Sequence, residues 1–151
     1  YDGAVPSGNS VAMSNLLRLA RLTGNTRYER AADELGRAFA GFVSRVPAGH
    51  TFMMTAVDLA VGPSFEVVVA GEAGADDTQA FVAALHDAYV PHVTTIVRDT
   101  SAANPSIDAL APFAADHRPV DGRAAAYACQ DFACRAPTTD PAELLREVLG
   151  G

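Results

Sequence analysis

The run Phe65-Glu66-Val67-Val68-Val69-Ala70 sets the tightest limit on what this chain can fold into. It is short, almost continuously apolar and rich in β-branched residues, and it lies between the breaks Gly62-Pro63 and Gly71. A strand with one wet face would alternate polar and apolar residues; a continuous run suits a strand covered on both faces. Such a strand needs one layer above it and another below.

Upstream, the hydrophobic period is helical. Met13, Leu16, Leu17 and Ala20 recur at helical spacing, and Leu19 and Leu22 widen the stripe. Gly24 and Asn25 close this first helix, and Thr26 with Glu29 predicts a capping box for the next. The second helix carries Tyr28, Ala31, Ala32, Leu35, Phe39, Phe42, Val43 and Val46 on one face and stops at Pro47. That face is more than one neighbouring helix would cover, so further helices are expected against it. A third helix is predicted from Thr51 to Val61, with Met53, Met54, Val57 and Ala60 inward.

Downstream, Asp76 with Gln79 predicts a second cap, before a helix that bears Phe81, Val82, Leu85 and Tyr89 and ends by Pro91. Val93 to Val97 reads as another strand, which makes a right-handed parallel crossover. Residues 99–123 are irregular, broken by Pro105, Pro112 and Pro119, with at most a short helix near 107–113. Residues 124–129 form a third strand despite their alanines. Asp140-Pro141-Ala142-Glu143 starts a last helix with Leu144, Leu145, Val148 and Leu149. The expected fold is mixed α/β: a helical hairpin region over 1–61, then a small three-stranded, mostly parallel α/β unit over 62–151.

With 151 residues, 49% of them hydrophobic, the chain can build a core. It has no run of eighteen apolar residues to cross a membrane as a helix. Tyr1 opens it with neither an initiator Met nor a signal-peptide pattern, which reads as a cut from something longer. Residues 1–46 carry a net charge of +2 and residues 47–151 a net of −9, with no Lys anywhere. Scattered Arg on an acidic body gives no basic stripe for a phosphate backbone, so nucleic acid is not an expected partner. The acidity reads as solubility.

Few residues suggest chemistry. Pro6-Ser7-Gly8-Asn9-Ser10 reads as a turn with Asn9 or Ser10 as helix cap, or as a polar loop whose free N–H groups hold ligand oxygens. Asp2, near Ser7 and Asn9, is the polar constellation that could line a cavity. The loop 71–77 follows a strand and opens a helix, but it lacks the GxGxxG spacing and the P-loop Lys, and its carboxylates would repel phosphate. No cofactor is expected. Cys129 and Cys134, with four residues between them, admit several readings: a metal site, a redox pair, free buried thiols, or a local structural disulfide. His50, His86, His92 and His117 show no paired spacing with them, so no metal site is expected. With no general base or cation nearby in sequence, the state of the cysteines is expected to matter little to activity. Two cysteines leave the redox compartment undetermined, the cytoplasm being slightly favoured.

Two segments carry a resemblance. The opening Asp2-Gly3-Ala4-Val5-Pro6-Ser7-Gly8-Asn9-Ser10-Val11-Ala12, with Leu22-Thr23-Gly24-Asn25 after the helix, resembles a hallmark of the YyaL-like, spermatogenesis-associated thioredoxin-domain protein family. The closing Ala126-Tyr127-Ala128-Cys129-Gln130-Asp131-Phe132-Ala133-Cys134, then Ala136-Pro137-Thr138-Thr139-Asp140-Pro141, resembles that family's C-terminal signature. The resemblance implies a thioredoxin-like domain, an (α/α)6 toroid like that of six-hairpin glycosidases and sugar 2-epimerases, and a final α/β segment. Residues 1–61 would be the last helices of the toroid, with the 2–9 loop at its mouth. The thioredoxin-like domain is absent from this sequence, so no thioredoxin activity carries over. The implied partner is the remainder of the same protein. Two functions follow as expectations: a structural module that closes the toroid, or part of a carbohydrate-processing enzyme whose sugar ligand meets Asp2, Ser7 and Asn9.

Overall fold

The computed structural model describes residues 1–150 and divides the chain into two compact units, Tyr1–Gly62 and Pro63–Gly151. Among the described residues there are six α-helices and one four-stranded mixed sheet. No helix among the described residues is long and apolar enough to cross a membrane.

The first unit contains helices α1 (Gly8–Thr23), α2 (Thr26–Arg45) and α3 (Thr51–Val61). Helix α1 packs against both of the others, which meet each other little. Its start lies earlier than expected. Ser7, not Asn9 or Ser10, is the N-cap, and its hydroxyl accepts the Ser10 N–H at 3.2 Å. At the other end Gly24 takes the left-handed conformation (φ 67°) and its N–H returns to the Ala20 carbonyl, the usual way to close a helix without a Cβ penalty. Asn25 then caps α2 through the Arg27 N–H, so Thr26 lies inside the helix and the expected Thr26–Glu29 box does not form. An amide side chain placed directly after the left-handed turn reaches the free N–H groups first.

The apolar core of this unit is small. Met13, Met53 and Ala56 are buried, with Leu17, Leu35, Phe39, Val43 and Val57 partly buried against them. Twenty residues of α2 bury only Ala32, while Phe42 and Val46 are more than half exposed.

The second unit is built on strand β1 (Phe65–Gly71), every residue of which is buried. Strand β2 (Val93–Asp99) pairs with it in parallel through helix α4 (Asp76–Asp87), and strand β3 (Ala125–Gln130) pairs antiparallel on its other side. Strand β4 (Ala133–Cys134) turns back antiparallel on β3, giving the order β2-β1-β3-β4. The expectation of three mostly parallel strands is therefore corrected. One pair is parallel and two are antiparallel. A parallel partner needs a helical crossover, whereas the irregular segment before β3 lets the chain return in the opposite sense. Strand β4 has two residues, too few to show a period.

One sheet face is apolar. Phe65, Val67, Val69, Ala124, Ala126 and Ala128 pack against Phe81 and Leu85 of α4 and Leu144 and Val148 of helix α6 (Pro141–Leu149). The N-cap of α6 is Asp140, which accepts the Ala142 N–H, as its sequence predicts. The cap of α4 differs from expectation. Ala75 occupies that position with no side-chain bond, and Gln79 instead donates to the Ala73 carbonyl. Asp77 accepts the N–H groups of Thr78 and Ala124, and the bond from Ala124 leads in holding its carboxyl below the usual range. Tyr89, expected on the helix's apolar face, falls beyond its end and is exposed.

Gly71 closes β1 where the backbone approaches most tightly. A Cβ there would meet the Thr78 hydroxyl and would stand 2.8 Å from the Ala124 Cβ. Neither neighbour can swing clear, because both are fixed on regular elements or buried. Gly71→Ala should therefore destabilise the chain by about 1–3 kcal/mol through overpacking. Urea unfolding checks this, and an unchanged midpoint would show that the strand end can shift freely.

Candidate functional site

The sequence singles out two places, and the structure treats them differently. The first is the N-terminal loop. Asp2 is buried, and its Oδ1 accepts the Ser7 N–H at 2.7 Å. Its Oδ2 accepts the N–H groups of Phe52 and Met53, each at 3.0 Å. These two belong to the first turn of α3, whose own preceding residue, His50, offers no side-chain cap. The carboxylate thus caps α3 across fifty residues and holds the start of α1 by the same group. Burial pushes its pKa up, but the bonds from the Ser7 backbone, the Ser10 hydroxyl and the Met53 backbone outweigh this and hold it well below the usual carboxylate range. Ser7 is half-buried, with its hydroxyl 2.8 Å from that of Ser10, and Asn9 is exposed on α1. Asp2 and Ser7 are brought together, and Asn9 stands exposed on the first turn of α1.

The larger concavity of this unit lies elsewhere. A groove of about 680 Å³ runs between the three helices. Met13, Leu17, Ala32, Val43, Met53 and Val57 are among the residues lining it.

The second is the cysteine pair, which the structure places at the sheet face opposite the α4–α6 core. Register puts Glu66, Val68 and Ala70 of β1 beside Thr94, Ile96 and Arg98 of β2 on one side, and beside Cys129, Tyr127 and Ala125 of β3 on the other. The segment after β2 is tied across this face. Arg98, buried at 7% exposure, donates to both oxygens of Asp108 at 2.9 and 2.8 Å and to the carbonyl of His117 at 3.2 Å. Asp108 lies in the short helix α5 (Ile107–Leu110), which the sequence placed within 107–113.

Cys129 and Cys134 are joined in a disulfide across the β3–β4 pair. Of the readings left open, those with free thiols are set aside. Cys129 is fully buried and Cys134 exposed. The turn between them places Asp131 and Phe132 at positive φ (49° and 63°), where a two-residue hairpin turn usually carries Asn-Gly. Tertiary contacts hold Phe132 there: its N–H donates to the buried Glu66 Oε2 at 3.1 Å, and its ring meets Phe113 edge-on at 4.9 Å.

His117 lies against the disulfide, with Nε2 3.3 Å from Cys134 Sγ. Its Nδ1 is 3.3 Å from the Ala114 carbonyl and its ring stands edge-on to Tyr127 at 4.4 Å. The Tyr127 hydroxyl in turn donates to the Arg118 carbonyl at 2.8 Å. Burial, first, lowers the His117 pKa; the Ala114 carbonyl and Asp116 oppose this, and Arg98 and Arg118 add to it. No base lies near the cysteines in sequence, but the fold brings one to them in space. His117 is seventeen residues from Cys134 in sequence, and the strap across the sheet closes that distance. Glu66 was likewise missed. A polar residue inside a strand buried on both faces was the signal that could have found it.

The donor atoms of His117, Cys129 and Cys134 lie within 4.8 Å of one another. While the sulfurs are bonded together neither is a thiolate, the form that ligates metal. The disulfide closes a very short loop between residues already opposed in the sheet, so it removes little chain entropy, about 2 kcal/mol.

The Asp2 bonds predict a pH effect. A carboxyl with a depressed folded pKa contributes stability above its unfolded pKa of about 4, and that contribution is lost as pH falls from there toward the folded value. Asp2→Asn should cost on the order of 2 kcal/mol at pH 7, because one side-chain amide cannot accept all three N–H groups. The gap from the parent chain should narrow in thermal unfolding at pH 3. A gap constant with pH would mean the charge contributes nothing.

No protein-family model matches the chain, and no solved structure matches it. Among curated proteins, it is 36% identical to spermatogenesis-associated protein 20 of Homo sapiens and to that of Rattus norvegicus, over 145 residues in each case. The Mus musculus protein of the same name is 35% identical over 145 residues. Each alignment covers 95% of this chain but 18% of the relative, so the chain spans under a fifth of the length of these proteins. Over nearly all of its length, the chain is homologous to a portion of spermatogenesis-associated protein 20, as its two terminal signatures imply.

Proposed function

We propose that this chain is a C-terminal structural module of a larger protein, and that its first unit completes a helical toroid by packing against helices from the rest of that protein. The observation that carries this reading is the open groove between α1, α2 and α3, with apolar residues along it and charged residues such as Arg21, Arg30 and Arg37 at its edge. A long amphipathic helix that buries one alanine gains little from its own unit. Exposed apolar faces of this extent mark interfaces. The occupant follows from length, since the relatives hold more than five times the sequence aligned here.

Part of a carbohydrate-processing enzyme, with Asp2, Ser7 and Asn9 lining its cavity, has less support. Both oxygens of Asp2 are engaged by backbone N–H groups, which leaves Asn9 as the exposed polar side chain of the three.

Ala40 and Val61 line the groove and are exposed. Changing either to Glu should shift the stability of this chain alone by less than about 0.5 kcal/mol. In the longer protein the same change would bury an unpaired charge and should lower the melting temperature by several degrees. Equal, small effects in both would refute the packing role.

A further inference from the structure

We propose that Cys129 and Cys134 form a two-electron thiol–disulfide exchange centre that accepts electrons from a dithiol, with His117 as the base that handles the proton of Cys134. Three observations carry the assignment. The disulfide joins residues that already face each other in the β3–β4 pair, so it ties down only the short edge strand β4. Its two sulfurs differ in access: Cys134 is exposed to an incoming thiol, whereas Cys129 is fully buried. The third is the setting of His117. A neutral imidazole has one N–H, and the Ala114 carbonyl 3.3 Å from Nδ1 calls for it there. Nε2 is then a bare acceptor facing a disulfide sulfur at 3.3 Å, and that sulfur has no hydrogen to give. A hydrogen for this contact exists only when Cys134 is a thiol.

The ring is held for that role from several sides. Arg98 bonds the His117 carbonyl, Tyr127 stands edge-on to the ring, and the Tyr127 hydroxyl holds the next residue's carbonyl. Burial leads in lowering the His117 pKa, which favours the neutral ring that can accept a proton. Charges around the centre are of both signs: Glu66 on β1, Arg98 on β2, Asp108 on α5, Asp116 and Arg118 beside the histidine, Asp131 in the turn, and Arg135 after β4. No single sign of charge surrounds Cys134, so a shift in its acidity that disappears with His117 belongs to His117.

The exchange balances as follows. A thiolate of the incoming dithiol attacks Cys134 Sγ; the Cys134–Cys129 bond breaks, and its electron pair leaves with Cys129 Sγ, which takes up a proton. A mixed disulfide now joins the reagent to Cys134. The second thiolate of the reagent attacks the reagent's own sulfur in that bond, and Cys134 Sγ leaves with the electron pair beside His117 Nε2, with which it shares a proton. The chain has gained two electrons and two protons, and the dithiol has become a disulfide.

The test uses the folded chain, dithiothreitol as the dithiol, and a metal chelator throughout. After reduction, alkylation of Cys134 by iodoacetamide is followed by peptide mass spectrometry from pH 5 to 10, with circular dichroism to confirm the fold. Cys134 should titrate at least one unit below the ordinary thiol value of about 8.5. His117→Ala should return it toward that value and slow alkylation at pH 7 about tenfold. His117→Gln, which can accept a hydrogen bond but takes no proton at these pH values, should stay slow. The proposal fails if Cys134 titrates at 8.5 or above, if neither variant shifts it, or if dithiothreitol opens the bond only as the chain unfolds.

Discussion

The burial of β1 on both faces is the constraint from which the second unit follows. A strand in that position must satisfy its backbone on both edges and cover both rows of side chains. Its edges are taken by β2 in parallel and β3 antiparallel, and one row is covered by α4 and α6. The other row contains Glu66, a carboxyl with no access to solvent. A buried carboxyl requires hydrogen-bond donors, and one of them is the N–H of Phe132 in the β3–β4 turn. That bond, with the Phe113 ring against Phe132, helps hold a bulky residue at positive φ in the turn that leads into β4. The disulfide lies one rung from this turn, since Cys129 pairs with Cys134 and Gln130 with Ala133. The placement of the sulfurs thus depends in part on a polar residue in an apolar strand.

The helical unit is organised by a polar group as well, but of the opposite kind. Helix α3 begins without a side-chain cap of its own, and a helix start left so has unsatisfied N–H groups. Asp2 supplies the missing acceptor from the far end of the unit and binds the Ser7 backbone with its other oxygen. One carboxylate therefore sets the relation between the starts of α1 and α3, while the apolar contacts of Met13, Met53 and Ala56 fill the space between them. Helix α2 shares little in this arrangement and lies along α1 with most of its surface exposed.

The elements legible in the sequence were those whose own residues determine them. The extent of the third helix, Thr51–Val61, was legible because Gly62-Pro63 stops it, but its inward face was not: Met53, Ala56 and Leu59 are buried, while the expected Met54 and Ala60 are exposed. β1 was legible because a short apolar run rich in β-branched residues lies between Gly62-Pro63 and Gly71. The last helix was legible from Asp140 and Pro141, whose effects on the first turn are local. Errors arose where a distant group decided the outcome. Ser7 caps α1 two or three residues before the expected Asn9 or Ser10 while its own N–H is held by Asp2, which no local pattern encodes. The direction of β3 could not be read from its alanines, since small apolar residues carry no mark of which way a strand runs. His117 escaped notice because its partner sulfur is reached across the sheet, through Arg98 and Tyr127.

Asp2 shows why a polar cluster in a sequence is weak evidence for a site. Short polar residues at a helix start suit a ligand's oxygens, but they suit the helix's own N–H groups equally, and those are always present. Here the intramolecular demand is met first, by three backbone donors on one carboxylate. His117 is the converse case. Its Nδ1 has a partner that fixes the proton, its ring is wedged by Tyr127, and its remaining nitrogen faces an atom that offers it no hydrogen. With the ring protonated on Nδ1, that contact adds no hydrogen bond to the folded disulfide form. Where folding explains every contact of a polar group, as for Asp2, the group tells of folding; where it leaves one contact unexplained, that contact is the place to look for chemistry.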